Sequence, residues 1–568
     1  MPELEKLGRV LSSDILIVGG GISGLTAAIT AKETDSSMDV LVVDKAVASK
    51  GYAGMAGRTA GLLSFVTPED DPEEFVRYNL SEIGCFLNDQ ILLREFAHSS
   101  RRIVAQLASW GVEVLRDQKG NIEYAKWPFP WGTASIDPDM CMKLAAHAKK
   151  LGVRFLDRTS VVDIVKEGEQ VVGAVGFDVT DGELYTFTTG TIVLANGSQN
   201  YDITLLWCGT GNGLGTAWRA GAEMRNAEFG CMCDFARVDP QGWLYYGVHG
   251  GAHIAHDHLL NAKGENVSAK YRPGLHSSMD PVAANAWLQE FRAGNAPISV
   301  DASIFSQPAF FKFHPKALDQ MHREAAKANF PMGRPYQVVP GFIGELSCVK
   351  VNHEMATTIP GLFAIGNVAG SGSARGGAVP TPPAKIHGTG ILNALFMGTK
   401  GGPAAALHAS AVRGFAADRP IRPEQINFLR NRIMSPLQRK DGIDPHDLIH
   451  QIQDVVSPVD YSVVKSEKGM SQALKELTTL KPLVEQLSAK DPHGLCRCID
   501  AESMVLSAEL FFRSSLARKE SRGFHFREDY PRTDNSEWLR WVIVRSVSGN
   551  MEIATERIPI ETYPYQVH

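Results

Sequence analysis

The stretch "DILIVGGGISGLTAAITA", Asp14 to Ala31, decides the fold. A short apolar run, Ile15 to Val18, meets a cluster of glycines, and small and apolar residues at helical spacing follow. That order reads as strand, tight turn, helix. Gly19 permits the turn, Gly21 lets the backbone approach a pyrophosphate, and Gly24 lets helix and strand pack closely. Ile22 and Ser23 open the helix, whose N-terminal N–H groups and partial positive charge suit a diphosphate. A second apolar run, "MDVLVVDKA" (Met38 to Ala46), ends in Asp44, about 20 residues past the last glycine, where a carboxylate accepts from ribose hydroxyls. The expected class is α/β with a Rossmann-like dinucleotide domain. A plain βαβ unit with a glycine turn is the alternative.

The chain around this turn has 568 residues, enough for two to four domains. A net charge of -6 and a pI near 6.3 offer no general attraction for nucleic acid or anionic lipid. The 8 cysteines show no C-x-x-C and no repeated spacing, which fits a reducing compartment better than a disulfide scaffold or zinc ribbon. The segment "MPELEKLGRVLSSD" carries no apolar signal core, and no run of about 18 apolar residues occurs. A cytoplasmic protein without direct membrane insertion is expected.

Later blocks carry a resemblance. "SKGYAGMAGRTAG" (Ser49 to Gly61), "TSVVDIVKEGEQVVGAVGFD" (Thr159 to Asp178), "TIVLANGS" (Thr191 to Ser198), "GTGNGLGTAWRAGAEMRNAEF" (Gly209 to Phe229), "IPGLFAIGN" (Ile359 to Asn367) and "RKESRGFHFREDYPRTDNSEW" (Arg518 to Trp538) occur in order. Together with the glycine turn they resemble flavoproteins of the succinate dehydrogenase and fumarate reductase superfamily, with "AGNAPISVDAS" (Ala293 to Ser303) similar to adenylylsulfate reductase alpha subunits. The resemblance implies FAD, its adenosine end on Gly19, Gly21, Gly24, Asp44 and Lys45 and its ring near Ala56, Gly57, Gly366 and Asn367. Val162, Ala195, Asn196, Gly197, Asn212, Ile391 and Leu392 complete the implied cofactor set. Asn212 and Asn367 stand where the family is usually acidic; asparagine keeps an acceptor oxygen and loses the charge. No histidine lies between Asp44 and Gly61, where succinate dehydrogenases attach flavin covalently, so noncovalent FAD is expected.

The same resemblance organises the chain. It implies a split FAD-binding domain, residues 1–237 and 340–416, an inserted α+β capping domain, 238–339, a helical domain, 417–530, and a C-terminal tail, 531–568. Leu474, Leu477, Val484 and Leu487 recur at helical spacing around an expected kink at Pro482, and Met504, Ala508 and Phe511 repeat the pattern. A helical domain of this kind favours, as partner, an iron-sulfur or ferredoxin-like electron-transfer protein. The chain's own cysteines fit no cluster pattern. A second strand-led glycine fingerprint for NAD(P)H is absent from the sequence, so electrons are expected from substrate, a quinol chain or a protein partner.

Substrate residues fit neither named enzyme. Cys233 falls on the substrate histidine of succinate-oxidising relatives, Met279 precedes Asp280 where their arginine is expected, Phe342 or Ile343 replaces a second histidine, and Leu62 replaces the flavin-side asparagine of the sulfate enzyme. Arg237 matches an active-site arginine of that enzyme and is the leading substrate ligand; an interface arginine is the alternative. Arg375 and His387, with Lys385, lie on a glycine-rich loop feeding a helix near Ile391, as ring-side candidates against a solvated loop. "GVHGGAHIAHDHLL" offers His249 and His253 beside His256 and His258; Gly250 and Gly251 argue against a helical metal pair, so no metal is assigned and a substrate-lining or proton-handling role is kept. Cys231 and Cys233, one residue apart, suit neither an unstrained disulfide nor a structural metal site and are expected in the active-site wall. Cys496 and Cys498 are expected to be structural at a helix approach, and Arg522, His525 and Arg527 an interface salt-bridge network.

The function expected is an FAD-dependent oxidoreductase moving hydride or electrons between a small polar substrate and an electron-transfer partner. The alternatives are an aspartate oxidase-like or enoate reductase-like enzyme, or a noncatalytic electron-relay flavoprotein.

Overall fold

Ile15–Val18 (β1) and Val40–Val43 (β2) are aliphatic runs with every residue buried. Strands apolar on both faces suit a parallel sheet covered on both sides. The computed structural model, which describes residues 2–54, 61–126, 130–203, 209–230, 233–237, 242–243, 259–271, 281–300, 314–316, 319, 323, 326, 336–342, 344–369, 389–413, 420–523 and 525–567, places them in such a sheet. Arg154–Leu156 (β3) and Ile192–Leu194 (β4) extend it. Cys233–Arg237 (β5) and Tyr336–Phe342 (β6) pair antiparallel in a second, separate sheet. Leu362–Ala364 (β7) returns beside β4, so the parallel order is β7-β4-β1-β2-β3. The parallel sheet is thus built from strands that precede and follow β5 and β6 in the chain.

Ile22–Thr34 (α1) buries Ser23 through Ala31, and Asn212–Ala220 (α2) packs on the strand Thr159–Glu167. Thr389–Val412 (α3) lies against α1 through glycines one helical turn apart. A Cβ at Gly398 would stand 2.8 Å from the Ser23 carbonyl oxygen, and one at Gly402 2.5 Å from that of Ala27. Glycine is what lets the helix backbones meet.

Pro423–Gln438 (α4), Pro445–Val456 (α5), Glu467–Leu480 (α6) and Pro492–Ala517 (α7) form the helical module. Ser466 caps α6 by accepting from the Gly469 N–H, and Asp491 caps α7 by accepting from that of Gly494. Pro482 ends a helix where the sequence suggests a kink: α6 stops at Leu480 and a short 3-10 turn, Lys481–Gln486, carries Val484, because proline lacks the N–H that would continue the helix. Cys496 and Cys498 lie within the first turns of α7, not on its approach, and burial pushes their thiols up to about 11 and about 12. The tail folds as a hairpin, Arg540–Val547 with Asn550–Arg557, whose first strand pairs with Met224–Arg225. Among the described residues no helix is long and apolar enough to cross a membrane.

A buried charged cluster ties these modules together. The Arg518 guanidinium, at the end of α7, donates to Glu228 at 2.7 Å and to Glu520 at 2.7 Å, and Arg522 closes on Glu520 at 2.8 Å. Lys465 donates to the Glu228 carbonyl at 2.7 Å and to His525 Nδ1 at 3.2 Å. That fixes the proton of His525 on Nε2, which donates to the Arg518 carbonyl at 3.1 Å. Arg527 pairs with Asp529 at 2.6 Å. Burial, reinforced by the charges of Lys465, Arg518 and Arg527, holds the His525 imidazole well below its ordinary value, so it is neutral.

Removing one partner leaves a buried charge alone, so Arg518→Met should lower stability by about 3–5 kcal/mol, read from thermal or denaturant unfolding. A depressed histidine contributes stability that is present above its unfolded value of about 6.5 and is lost as pH falls. His525→Gln should therefore flatten the decline of stability between about pH 7 and 5, by at most about 1.4 kcal/mol per pH unit. An unchanged slope would show that His525 does not titrate on unfolding.

Candidate functional site

The glycine turn leaves β1 at Val18, and its tight points are set by backbone, not by side chains. Gly19 has φ +108°, and a Cβ there would stand 2.5 Å from the Ala195 carbonyl oxygen. At Gly24 a Cβ would stand 1.9 Å from the carbonyl oxygen of Gly19. Gly21 differs: its backbone, φ -75° and ψ -170°, suits any residue, and the nearest atom to a Cβ is Gly54 Cα at 3.6 Å. The fold does not demand glycine at 21, whereas a diphosphate lying on the turn would. Gly366, at φ +67°, brings the turn Gly366–Val368 against the start of α1, where its Cβ would meet Ser23 Oγ at 2.4 Å. Asn367 follows it, half-buried.

Asp44 secures the turn from the end of β2. Its Oδ2 accepts from the Gly20 N–H at 2.7 Å and its Oδ1 from the Ala46 N–H at 2.7 Å. Burial raises this carboxyl above its ordinary value and the two N–H groups oppose the rise. Lys45 donates to Thr210 Oγ1 at 2.9 Å and stands 3.7 Å from Asp500. A register shift takes Val162 out of its ladder, and its carbonyl accepts from Thr216 at 2.7 Å and Arg219 at 2.9 Å.

Ala195 donates its N–H to the Val18 carbonyl at 2.7 Å, so the segment Ala195, Asn196, Gly197 leaves β4 alongside the glycine turn. Asn212 is the first residue of α2, and its Nδ2 donates to Asp500 Oδ1 at 3.0 Å. The Oδ1 atoms of Asn196 and Asn212 are both buried with no partner. A buried acceptor without a donor costs about 1–3 kcal/mol, which the hydroxyls and amine of an adenosine would offset. These residues fit FAD. Ile391 and Leu392 lie at the start of the described part of α3. Leu392 is wholly in the core, so its backbone alone could serve.

Of the substrate candidates, Arg237 sits on β5 opposite Val338 of β6, and Cys233 opposite Phe342. Phe342 is 1% exposed and packs on Tyr201 and Phe511, so at one of the two positions where the resemblance expects a histidine the side chain belongs to the core. Leu62 is buried at the head of the strand Leu62–Phe65. Ala56, Gly57, Cys231, His249, His253, Arg375 and His387 lie outside the described residues. Asp500 was missed by sequence reading, although it is a carboxylate among residues that alternate into the core of a long helix. Among the described residues Glu113, Asp137 and His314 could together hold a cation. The Lys143 ammonium already sits 2.5 Å from Asp137, with Lys316 at 3.7 Å, so an ion-pair cluster accounts for them.

The contrast between two glycines is testable. Gly21→Val should fold with an unchanged circular dichroism spectrum yet purify without bound flavin, because no described residue crowds a side chain there and the space it fills is the ligand's. Gly24→Ala should lower the thermal midpoint even of flavin-free protein, because Gly19 must move.

Residues 14–379 match the family described as "FAD binding domain" and residues 451–568 the one described as "Fumarate reductase flavoprotein C-term". The chain is 24% identical to a chain of the CoM/CoB fumarate reductase of Methanothermobacter marburgensis, covering 94% of this chain and 96% of that protein. It is 24% identical to the 8-methylmenaquinol:fumarate reductase flavoprotein subunit of Wolinella succinogenes, covering 94% and 88%. In structure it is similar to E. coli quinol fumarate reductase, with TM-score 0.80 at 18% identity over 98% of each chain. Adenylylsulfate reductase of Archaeoglobus fulgidus gives 0.76 at 21% identity over 97% and 96%. The dinucleotide cradle and the C-terminal module therefore point the same way, and the chain belongs to the FAD-dependent oxidoreductases of the fumarate reductase and succinate dehydrogenase flavoprotein superfamily.

Proposed function

We propose that this chain is the flavoprotein subunit of an oxidoreductase that exchanges electron pairs between a small polar substrate and an iron-sulfur or ferredoxin-like partner. The observation that carries the reading is the union, in one chain, of the nucleotide cradle with a C-terminal segment of fumarate reductase type. Bound FAD supplies the hydride chemistry. The chain's part is to hold and orient it: Asp44 fixes the glycine turn, Asn196 and Asn212 present acceptor oxygens, and the turn at Gly366 abuts Ser23. In this reading Arg237 binds an anionic group of the substrate, and Arg375, His387, His249 and His253 are the candidates for charge stabilisation and proton transfer. The description "flavoprotein subunit", carried by the Wolinella relative, supports a partner. The chain's cysteines fit no cluster pattern, so electrons leave or arrive through another molecule. An aspartate oxidase-like, enoate reductase-like or purely relaying role is not favoured.

Anaerobic mixing of the photoreduced protein with a panel of small oxidised acids, fumarate included, tests the reading. At least one should restore the yellow flavin absorbance within seconds, and Arg237→Ala should raise its half-saturating concentration by about tenfold or more. Reoxidation by an iron-sulfur protein alone, with no response to any acid, would make the chain a relay. Acid precipitation should leave flavin in the supernatant, as expected with no histidine between Asp44 and Gly61.

A further inference from the structure

Two helices from different modules meet beside Lys45, where the reading proposed above places the adenosine of FAD. On α2, Asn212 and Gly215 are three residues apart; on α7, Asp500 and Ser503 repeat the spacing. A Cβ at Gly215 would stand 2.9 Å from Ser503 Oγ, so the helices touch there, and one turn earlier Asn212 donates to Asp500 at 3.0 Å. Asp500 is 2% exposed. It also accepts from Arg497 at 3.0 Å and stands 3.7 Å from Lys45, the residue after Asp44.

We infer that Asp500, carried by the helical module, is a positioning residue for FAD: its carboxylate orients the Asn212 amide and draws Lys45 to the adenosine end of the site. An ionised carboxylate only accepts hydrogen bonds, so it fixes the NH2 of Asn212 toward itself. The amide oxygen is then turned away from Asp500 and is buried without a partner; the equally unpartnered Asn196 oxygen lies against the next residue of α2, where a Cβ at Gly213 would meet it at 2.1 Å. Two acceptors without donors suit a ribose or adenine that brings its own. Without the carboxylate, the Asn212 amide loses what distinguishes its two ends and can turn its NH2 toward the nucleotide. Ion pairing alone does not explain the arrangement. Arg497 has Asp202 at 2.6 Å, and Lys45, 41% exposed, can reach water. The bond to Asn212 spans 288 residues and links modules.

The test uses full-length apoprotein, titrated with FAD by flavin fluorescence and with ADP as competitor. Asp500→Asn should weaken both FAD and ADP by about tenfold or more, with the thermal midpoint of the apoprotein unchanged. The exchanged double variant N212D/D500N restores an acceptor facing a donor, and should recover both affinities to within about threefold of the wild type. Affinities within about twofold of wild type in Asp500→Asn would overturn the inference. So would a loss that tracks a fall in the apoprotein midpoint and does not recover in the exchanged pair, since Asp500 would then serve the fold alone.

Discussion

One close approach governs the architecture: the α-carbon of Gly24 lies against the carbonyl of Gly19, where no side-chain carbon fits. Because strand and helix meet that tightly, α1 runs back along the sheet with both faces covered, and its flank accepts α3 through Gly398 and Gly402. The turn at Gly366 closes on Ser23 for the same reason. Above the turn the first N–H groups of α1 lack intrahelical acceptors, and among the described residues nothing in the fold demands glycine at 21. The fold thus makes the anion site as a by-product of packing.

A second layer of organisation is electrostatic. Arg518, Glu228, Glu520, Arg522, Lys465 and His525 form a buried network in which each charge faces an opposite charge or a carbonyl. Such a network adds little net energy over an apolar core, but breaking it is costly, so it fixes one docking geometry for the helical module. Glu228 lies just ahead of β5, the strand that carries Arg237. The same docking brings α7 against α2 and delivers Asp500 to Asn212. Structural and cofactor-side charges therefore share one interface, and the position of the helical module bears on how the nucleotide is held.

Legibility followed the range of the interactions. Gly19, Gly24 and Asp44 were readable because a turn and the strand after it are local, and each has a backbone reason; Gly21 has none in the fold. Cys496, Cys498 and Pro482 were placed nearly right, with errors of a turn, because helix ends depend on which backbone groups find partners. Phe342 could be aligned with a histidine by counting, but which way a strand residue faces depends on register with Cys233 and on the aromatic residues beneath it.

By itself the sequence determined the nucleotide-binding βαβ unit and the helical character of the chain around Leu474 to Phe511, both written in short-range periodicity and glycine placement. Only the tertiary structure decided that β7 completes the first sheet, that Arg518 reaches Glu228, and that Asp500 meets Asn212. Those contacts join residues 170 to 290 positions apart, through backbone pairing of apolar strands in the first case and buried charge and amide in the other two, and no local pattern in the chain encodes them.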